Sequence, residues 1–304
     1  MPSPVRILPA VADALRAGRP VVALESSVLA QGLPIPQNRD AAIRMVAAVE
    51  RGGALPAITA VVRGVPAVGL EPDELERFLL RDGVRKVSAR DIPIAAAKGV
   101  DGATTVAASL VLANAAGIEV FATGGIGGVH YDAPFDESAD LAELARTPLI
   151  VVCAGAKSIL DLPATMERLE SLGVPVIGYR TNELPGFFSV ETGIRLDARA
   201  DSAAEIVSAY RTHRALGRMQ SILVVQPPPE RTALPAADVA RAVNEARTAA
   251  KRDSIRGAAV TPYLLSAVTR LTKGTSLDAN LALLEQNSRL AAEIATMCSG
   301  IKSS

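Results

Sequence analysis

The sequence predicts an α/β protein with a largely parallel sheet and a helical C-terminal layer, and three observations carry that prediction. Short apolar, β-branched runs alternate with longer stretches of helical periodicity. Several runs are continuously apolar, as expected of strands that are covered on both faces. From Leu234 onward only helical patterns follow. A chain of 304 residues can bury a substantial core without disulfide or metal support, and we expect one domain, residues 1–304.

The elements follow from these patterns in chain order. The predicted strands are Pro20–Leu24, Ala57–Val62, Val84–Val87, Ile118–Ala122, Leu149–Cys153, Pro175–Gly178 and Ser221–Val225. The predicted helices between them are Asp40–Arg51, Thr104–Ala116, Ala139–Ala145, Ala164–Ser171 and Ser202–Leu216. Alternation of this kind favours a parallel sheet. Three helical patterns follow Leu234, and Thr275 with Asp278 resembles a capping box at the start of the last one.

Charge and residue usage exclude several function classes. The chain balances 32 basic against 32 acidic side chains and has no Trp, which argues against binding of polymeric nucleic acid. Two cysteines and two histidines are too few for a disulfide framework or the usual zinc sites. The N-terminus lacks a secretory layout, and the uncharged stretch Gly102–Ile118 is too short to span a bilayer. We therefore expect a cytoplasmic small-molecule enzyme with no membrane partner.

Two glycine-rich stretches fail as nucleotide-binding signatures. A G-x-G-x-x-G pattern that starts at Gly125 places His130 where the third glycine belongs. Before Lys157, Val151 and Ala156 stand where a P-loop requires glycine. The sequence therefore predicts neither a dinucleotide fingerprint nor an ATP-hydrolysing P-loop.

Two charged residues come just after predicted strands, at the edge where open parallel sheets bind ligands. Glu25 directly follows Val21–Leu24, and Lys157 follows Leu149–Cys153 after a small-residue turn. Burial beside apolar runs raises the pKa of a carboxyl group and favours the neutral form of an amine. Those are the conditions for a general acid and a nucleophilic amine. Position alone favours a turn cap at Glu25 and a surface helix start at Lys157 over these catalytic roles.

Other polar segments offer binding groups, each with a structural alternative. Free N–H groups at Gly102–Val106 could bind a phosphate, or Thr104 could simply cap the helix. The three carboxylates of Phe135–Asp140 suit a hard cation such as magnesium or manganese, or they complement a helix dipole. Lys86 lies in a mixed basic and apolar run that is typical of a solvated edge. Asn287 lies on the apolar stripe of the last helix, where its amide could meet another helix or a ligand.

Taken together, these segments resemble the pseudouridine-5′-phosphate glycosidase family, in order and over about the whole chain. The motifs that carry the resemblance are Ala23–Ser26, Pro34–Asn38, Lys86–Pro93, Gly102–Ala108, Ala122–His130, Phe135–Leu141, Val151–Asp161, Gly178–Tyr179, Thr261–Leu265 and Ser276–Asn280. The resemblance implies an α/β/α sandwich. It also implies reversible cleavage of the carbon–carbon glycosidic bond of pseudouridine 5′-phosphate to uracil and ribose 5-phosphate. It further implies dependence on Mn²⁺, a homotrimer, and a separate pseudouridine kinase that supplies the substrate.

The resemblance also implies roles for individual residues. Glu25 would be the proton donor, Lys157 the nucleophile, and Asp136 the metal ligand, with waters completing the manganese shell. Substrate contacts would come from Lys86, Thr105, Val106, His130, Ser138, Asp140 and Asn287.

The chemistry independently favours a lysine. The leaving atom of a C-glycoside is a ring carbon without a lone pair, so the oxygen protonation used by ordinary glycosidases is a poor route. A Schiff base between Lys157 and the ring-opened ribose would supply an electron sink, and Glu25 would protonate the uracil carbon.

Two stretches depart from the family pattern, and two other functions stay open. Gln226–Glu230 stands where an Asn-Pro-Ile-Pro-type segment is expected, and Phe188–Asp197 is unlike the corresponding family segment. The first alternative function is another Schiff-base lyase or aldolase that acts on sugar phosphates. The second is a non-catalytic trimer that binds a sugar phosphate.

Overall fold

A computed structural model describes residues 4–131, 135–255 and 260–300. The strands are β1 (Arg6–Ile7), β2 (Val21–Leu24), β3 (Leu55–Val62), β4 (Val65–Val68), β5 (Arg85–Val87), β6 (Gly102–Thr104), β7 (Val120–Ala122), β8 (Ile150–Cys153), β9 (Val176–Tyr179), β10 (Ala198–Ala200) and β11 (Ile222–Val225). The helices are α1 (Pro9–Arg16), α2 (Gln37–Arg51), α3 (Pro72–Leu80), α4 (Ile92–Ala97), α5 (Val106–Ala116), α6 (Ala139–Leu144), α7 (Leu162–Ser171), α8 (Ala203–Ala215), α9 (Ala236–Arg252), α10 (Val260–Leu271) and α11 (Thr275–Gly300).

The strands join into a mostly parallel sheet, which confirms the predicted α/β class. The order along its main path is β1-β4-β3-β2-β7-β8-β11-β9-β10, and β6 pairs with β3 and β5 at one side. Within that path β2, β7, β8 and β11 are parallel neighbours, so their carboxyl ends lie at one edge. Helices flank the sheet, and α11 packs against α2 and against β2, β7 and β8. The side chains of β2, β7, β8 and β11 are buried throughout, as their continuous apolar runs predict.

The structure corrects one boundary that bears on function. The sequence predicts that a helix begins at Thr104, whereas Gly102–Thr104 forms β6 and pairs with β3 and β5. A β-carbon at Gly102 would lie 2.5 Å from Val87 Cγ2, so the glycine permits close strand packing. Helix α5 begins only after Thr105, whose hydroxyl accepts a hydrogen bond from the backbone N–H of Ala108 at 3.5 Å.

Several short elements lie outside the sequence prediction, and one predicted cap is absent. Strands β1, β4 and β10 and helices α1, α3 and α4 are short, so they give weak periodic signals. Thr275 does not cap α11, because its hydroxyl donates to the Thr272 carbonyl instead. The helical C-terminal layer itself is confirmed, with α9, α10 and α11.

Helix α5 is apolar around its circumference and is buried, as the sequence predicts for a core helix. Within the described ranges, no helix combines the length and apolar character needed to cross a membrane.

Candidate active site

The carboxyl ends of β2 and β8 border a cleft of about 550 Å³, open solvent at its mouth included. The cleft brings together three sequence-predicted residues with others from distant segments, among them Glu25, Lys86, Lys157, Ser27, Phe187 and Asn280. The π-helical turn Val28–Gly32 and helix α10 complete its walls.

Glu25 is the first residue after β2 and is buried, with 4 % of its surface exposed. Its two carboxyl oxygens each accept a hydroxyl hydrogen bond. Thr123 Oγ1 donates to Oε1 at 2.6 Å, and Ser27 Oγ donates to Oε2 at 2.8 Å. Burial raises the pKa of Glu25, although the positive charge of Lys157 and the two hydroxyl donors oppose that rise. A carboxyl group of this kind is suited to general acid chemistry.

Lys157 lies on the loop after β8, and a glycine turn fixes its position. Gly155 has a φ of +85°, and a β-carbon there would lie 2.7 Å from the Pro185 carbonyl oxygen. Beyond that turn, the Lys157 N–H donates to the Ile126 carbonyl at 3.1 Å, and Ile126 donates back to the Gly155 carbonyl at 3.1 Å. This pairing of two loops holds Lys157 in the same cleft as Glu25.

Lys86 is the middle residue of β5 and the second amine in the cleft. Part of its surface is open to solvent, but the surrounding walls desolvate the ammonium group and lower its pKa. The positive charge of Lys157 lowers this pKa further, whereas Asp140 and Glu25 act in the opposite direction. The two amines and two carboxylates are therefore electrostatically coupled.

Asp140 is buried and holds two backbone segments beside the cleft. Its Oδ1 accepts from the N–H of Ala107, in the first turn of α5, at 2.9 Å. Its Oδ2 accepts from the N–H of Gly127 at 2.8 Å. The carboxylate thus complements the helix dipole and fixes the glycine loop.

Three further residues with predicted substrate contacts lie at helix starts around Asp140. Thr105 caps α5, and Val106 is the buried first residue of that helix. Ser138 caps α6, with its Oγ accepting from the Asp140 N–H at 3.2 Å. All three therefore contribute to the structure of the α5 and α6 starts, whether or not they also contact substrate.

The predicted metal residue lies on the loop that precedes α6. Asp136 is exposed, and its carbonyl accepts from the N–H of His130 at 2.9 Å. Among the described residues, no group of three or more His, Cys, Asp or Glu side chains could hold a metal ion. A lone carboxylate fits an ion that keeps several waters and shares substrate phosphate oxygens, which is the usual mode for small divalent cations.

Two asparagines on α11 behave differently from each other. The Asn287 amide is fully used: its Nδ2 donates to the Thr123 carbonyl at 2.8 Å, and its Oδ1 accepts from Gln226 at 2.9 Å. Asn287 therefore lies behind the cleft and contacts the segments that follow β7 and β11, rather than another helix. Asn280 lines the cleft, and its buried Oδ1 has no hydrogen-bond partner among the described residues. A buried polar atom without a partner points to a ligand group.

Sequence reasoning missed the two hydroxyl groups on Glu25 and the cleft-facing role of Asn280. Ser27 lies only two residues after Glu25, so local sequence alone could have predicted a hydrogen bond between the two side chains. Thr123 is 98 residues from Glu25 in the chain, so only the pairing of β2 with β7 brings the two together. Phe187, also missed, has a φ of +67° and provides an aromatic wall against Gly125.

Cys153 is not a candidate nucleophile. The side chain is buried at the end of β8, and burial raises the pKa of its thiol to about 12. A thiol with that pKa stays protonated at neutral pH. The candidate chemistry of the cleft therefore rests on its amines and carboxylates.

Comparisons with known proteins show the family of this chain. The family model of indigoidine synthase A like proteins matches residues 10–297. A pseudouridine-5′-phosphate glycosidase of Gemmatimonas aurantiaca is 65 % identical, over 94 % of this chain and 93 % of its own length. The enzyme of the same name from Herpetosiphon aurantiacus is 50 % identical, over 95 % of this chain and 96 % of its own length.

Two solved structures share the fold. The prealnumycin C-glycosynthase AlnA, in complex with ribulose 5-phosphate, superposes with a TM-score of 0.91 at 38 % identity and covers 98 % of both chains. An indigoidine synthase A-like protein of Thermotoga maritima gives a TM-score of 0.89 at 36 % identity, over 97 % of this chain and 96 % of its own. The chain therefore belongs, as its motifs predicted, to the indigoidine synthase A-like family of enzymes that includes the pseudouridine-5′-phosphate glycosidases.

Proposed function

We propose that this enzyme catalyses reversible cleavage of pseudouridine 5′-phosphate to uracil and ribose 5-phosphate through a Schiff base on Lys157. The observation that carries the proposal is the pair of Glu25 and Lys157 in one cleft, a buried carboxyl of raised pKa beside an amine. The names of the relatives support the substrate. The ribulose 5-phosphate of the solved C-glycosynthase supports a sugar phosphate in this cleft.

In the proposed reaction, the neutral amine of Lys157 attacks the anomeric carbon, and the bond from that carbon to the ring oxygen breaks. The nitrogen, which is cationic after the attack, gives a proton to the ring oxygen, so that the oxygen becomes a free hydroxyl and the nitrogen regains its lone pair. Glu25 then gives its proton to the uracil carbon that carries the sugar. The carbon–carbon bond breaks with its electron pair left on uracil, while the nitrogen lone pair completes an iminium. Water hydrolyses the iminium to ribose 5-phosphate and frees Lys157.

Binding of the substrate would use groups that line the cleft. Lys86 carries positive charge toward the phosphate or the sugar, and the unpartnered Asn280 amide offers hydrogen bonds to the uracil edge. The ring of Phe187 and the side chains of Val28 and Leu265 provide apolar surface for the flat base. Buried polar groups that find partners only in the substrate give strong discrimination against other bases.

We also propose that Asp136 would hold Mn²⁺ together with water. The ion would offset the negative charge of the substrate phosphate when it is bound. The homotrimer, the cytoplasmic location and a kinase that supplies the substrate are further parts of this proposal, and they rest on the family resemblance.

Release of uracil from pseudouridine 5′-phosphate in the presence of manganese tests the proposal. We expect turnover by the wild type and loss of it in Glu25→Ala and Lys157→Ala. Borohydride with ribose 5-phosphate should add the reduced sugar phosphate to the wild type and to Glu25→Ala, but not to Lys157→Ala. Equal rates of uracil release in all three proteins would refute the residue assignments.

The second candidate is a lyase or synthase that joins a sugar phosphate to a different carbon acceptor. The C-glycosynthase neighbour favours it, because the name of that enzyme describes formation of a C-glycoside other than pseudouridine. Both candidates predict borohydride trapping at Lys157. Trapping without any release of uracil would favour the second candidate, whereas binding of the sugar phosphate with neither trapping nor turnover would indicate a non-catalytic protein.

A further inference from the structure

A directed chain of side-chain amides lies behind the cleft and ends on Glu25. Gln286 Nε2 donates to Gln226 Oε1 at 3.1 Å, and Gln226 Nε2 donates to Asn287 Oδ1 at 2.9 Å. Asn287 Nδ2 then donates to the Thr123 carbonyl at 2.8 Å and to the Gly124 carbonyl at 3.4 Å. Finally, Thr123 Oγ1 donates to Glu25 Oε1 at 2.6 Å.

The chain is buried and its direction is fixed. Gln226, Asn287 and Thr123 expose 4 %, 1 % and 1 % of their surfaces. Gln286 also donates to the Pro227 carbonyl at 2.9 Å, so its amide can present only a donor to Gln226. Every amide oxygen in the chain then accepts and every amide nitrogen donates. A reversed Asn287 amide would set its oxygen against the Thr123 carbonyl, which is repulsive.

The chain spans the carboxyl ends of the strands that build the site. Glu25 follows β2, Thr123 follows β7, and Gln226 follows β11. The backbone N–H of Gln226 donates to the Cys153 carbonyl at 3.0 Å, which anchors it beside β8. Asn287 on α11 therefore holds the Thr123–Gly124 backbone from behind, and that backbone sets where the Thr123 hydroxyl meets Glu25.

We propose that Asn287, with Gln226 behind it, is a positioning residue that fixes the orientation of the Glu25 carboxyl through Thr123. The proposal rests on the proposed function, in which Glu25 delivers a proton to one carbon atom of the base. Proton transfer to carbon needs an aligned donor, and loss of alignment by a fraction of an ångström slows such steps. Neither Asn287 nor Gln226 lines the cleft, so neither is a substrate contact in this assignment.

The length of the Gln226 side chain decides which amides it reaches. Compared with asparagine, glutamine has one more methylene, and its amide reaches both Asn287 and Gln286. Gln226→Asn would withdraw the Nε2 donor from Asn287 and should reproduce part of the Asn287→Ala effect.

The kinetic expectation separates positioning from substrate binding. Asn287→Ala should lower kcat about 10- to 100-fold and change KM by less than about threefold, because the Glu25 proton is used after binding. Thr123→Val should lower kcat similarly, and Thr123→Ser, which keeps the hydroxyl, should restore most of it. Asn114→Ala, which removes an exposed asparagine on α5, is the matched control and should leave kcat unchanged.

The pH profile gives a second readout. The charged groups that face Glu25 are Lys157, Lys86 and Asp140, and all three remain in these variants. The Thr123 hydroxyl stabilises the carboxylate form, so its loss raises the pKa of Glu25. A general acid must be protonated, and its activity is lost as pH rises through its pKa. The alkaline limb of kcat should therefore move to higher pH in Thr123→Val and stay at the wild-type position in Thr123→Ser.

Borohydride trapping separates a loss of positioning from a loss of the folded site. Attack of Lys157 on ribose 5-phosphate does not need the Glu25 proton, so Asn287→Ala and Thr123→Val should trap the sugar phosphate as the wild type does. The positioning role is supported if both variants still trap the sugar phosphate and have a reduced kcat, and if the alkaline limb of Thr123→Val lies at higher pH. Loss of trapping together with kcat would show a purely structural role, and an unchanged kcat in both variants would also overturn the proposal. A wild type that releases no uracil would refute the proposed function instead.

Discussion

Asn280 and Asn287 lie seven residues apart on one face of α11, and their substitution by alanine should move stability in opposite directions. The structure leaves Asn280 Oδ1 buried without a partner among the described residues, whereas the Asn287 amide makes hydrogen bonds to Thr123 and Gln226. The unpaired oxygen of Asn280 is available to a ligand but lowers the stability of the fold. The hydrogen bonds of Asn287 stabilise the fold.

The magnitudes follow from the hydrogen bonds of each side chain. Relief of a buried unpaired oxygen is worth about 1 kcal/mol or more, and alanine is about 0.5 kcal/mol better than asparagine within a helix. Asn280→Ala should therefore stabilise the protein by about 1–2 kcal/mol. Asn287→Ala loses its hydrogen bonds and leaves the Thr123 carbonyl and Gln226 Nε2 unpaired, which should destabilise by about 2–4 kcal/mol.

Thermal unfolding and uracil release together form the assay. For 304 residues the entropy of unfolding is about 0.6 kcal/mol/K, so Asn280→Ala should raise Tm by about 2–3 °C and Asn287→Ala should lower it by about 3–6 °C. The stabilised Asn280→Ala should lose about 10- to 100-fold in kcat/KM, because a hydrogen bond to the bound base disappears. An Asn280→Ala protein with a lower Tm and full activity would refute the assignment of its amide to the substrate.

Three further predictions concern the charged groups of the site. Lys157→Ala should lose about 10⁴-fold or more of the uracil-release rate, and mass spectrometry after borohydride reduction should show no ribose 5-phosphate adduct; an adduct on another lysine would contradict the assignment. Burial raises the pKa of Glu25 above its ordinary 4.5, so the contribution of Glu25 to stability should be greatest below pH 4.5 and fall by up to about 1.4 kcal/mol per unit as pH rises toward the folded-state pKa. Glu25→Gln cannot ionise at this position and lacks this pH dependence. The Tm of Glu25→Gln minus the Tm of the wild type should therefore increase as pH rises above 4.5, and a constant difference would count against a raised pKa of Glu25. Chelation with EDTA should lower uracil release and added Mn²⁺ should restore it, and Asp136→Asn should need about tenfold more Mn²⁺ for half-maximal rate; an unchanged Mn²⁺ requirement would remove Asp136 as the ligand.

Local patterns predicted the central strands well because those strands are buried on both faces. Val21–Leu24 and Ile222–Val225 are continuously apolar, and each appears within a residue of its predicted bounds. Gly102–Thr104 was misassigned because a short strand before a helix shares its small, apolar composition. Only its pairing with β3 and β5 distinguishes the two structures.

The sequence located Glu25 and Lys157 because the end of a parallel strand is a position that local patterns reveal, whereas Lys86, in the middle of β5, was assigned only through the family motifs. The sequence could not show which of the polar residues around them are free to bind a ligand and which are hydrogen-bonded within the protein. Asp140 and Asn287 look like ligand groups in the sequence, yet the structure gives both oxygens of Asp140 to backbone N–H groups and the amide of Asn287 to protein partners. Whether a polar side chain already makes its hydrogen bonds within the protein depends on contacts between segments far apart in the chain.

By itself, the sequence determined the α/β class, the helical C-terminal layer and the family, and it singled out Glu25 and Lys157 as candidate reactive residues, because periodicity and motifs are local properties of a chain. The tertiary structure alone decided which side chains share the cleft and which support it from behind. Thr123 reaches Glu25 only because β2 and β7 are neighbours, and Asn280 faces the cleft while Asn287 faces the strand ends only because of how α11 lies on the sheet. Those assignments depend on contacts made after the chain has folded, so no local pattern encodes them.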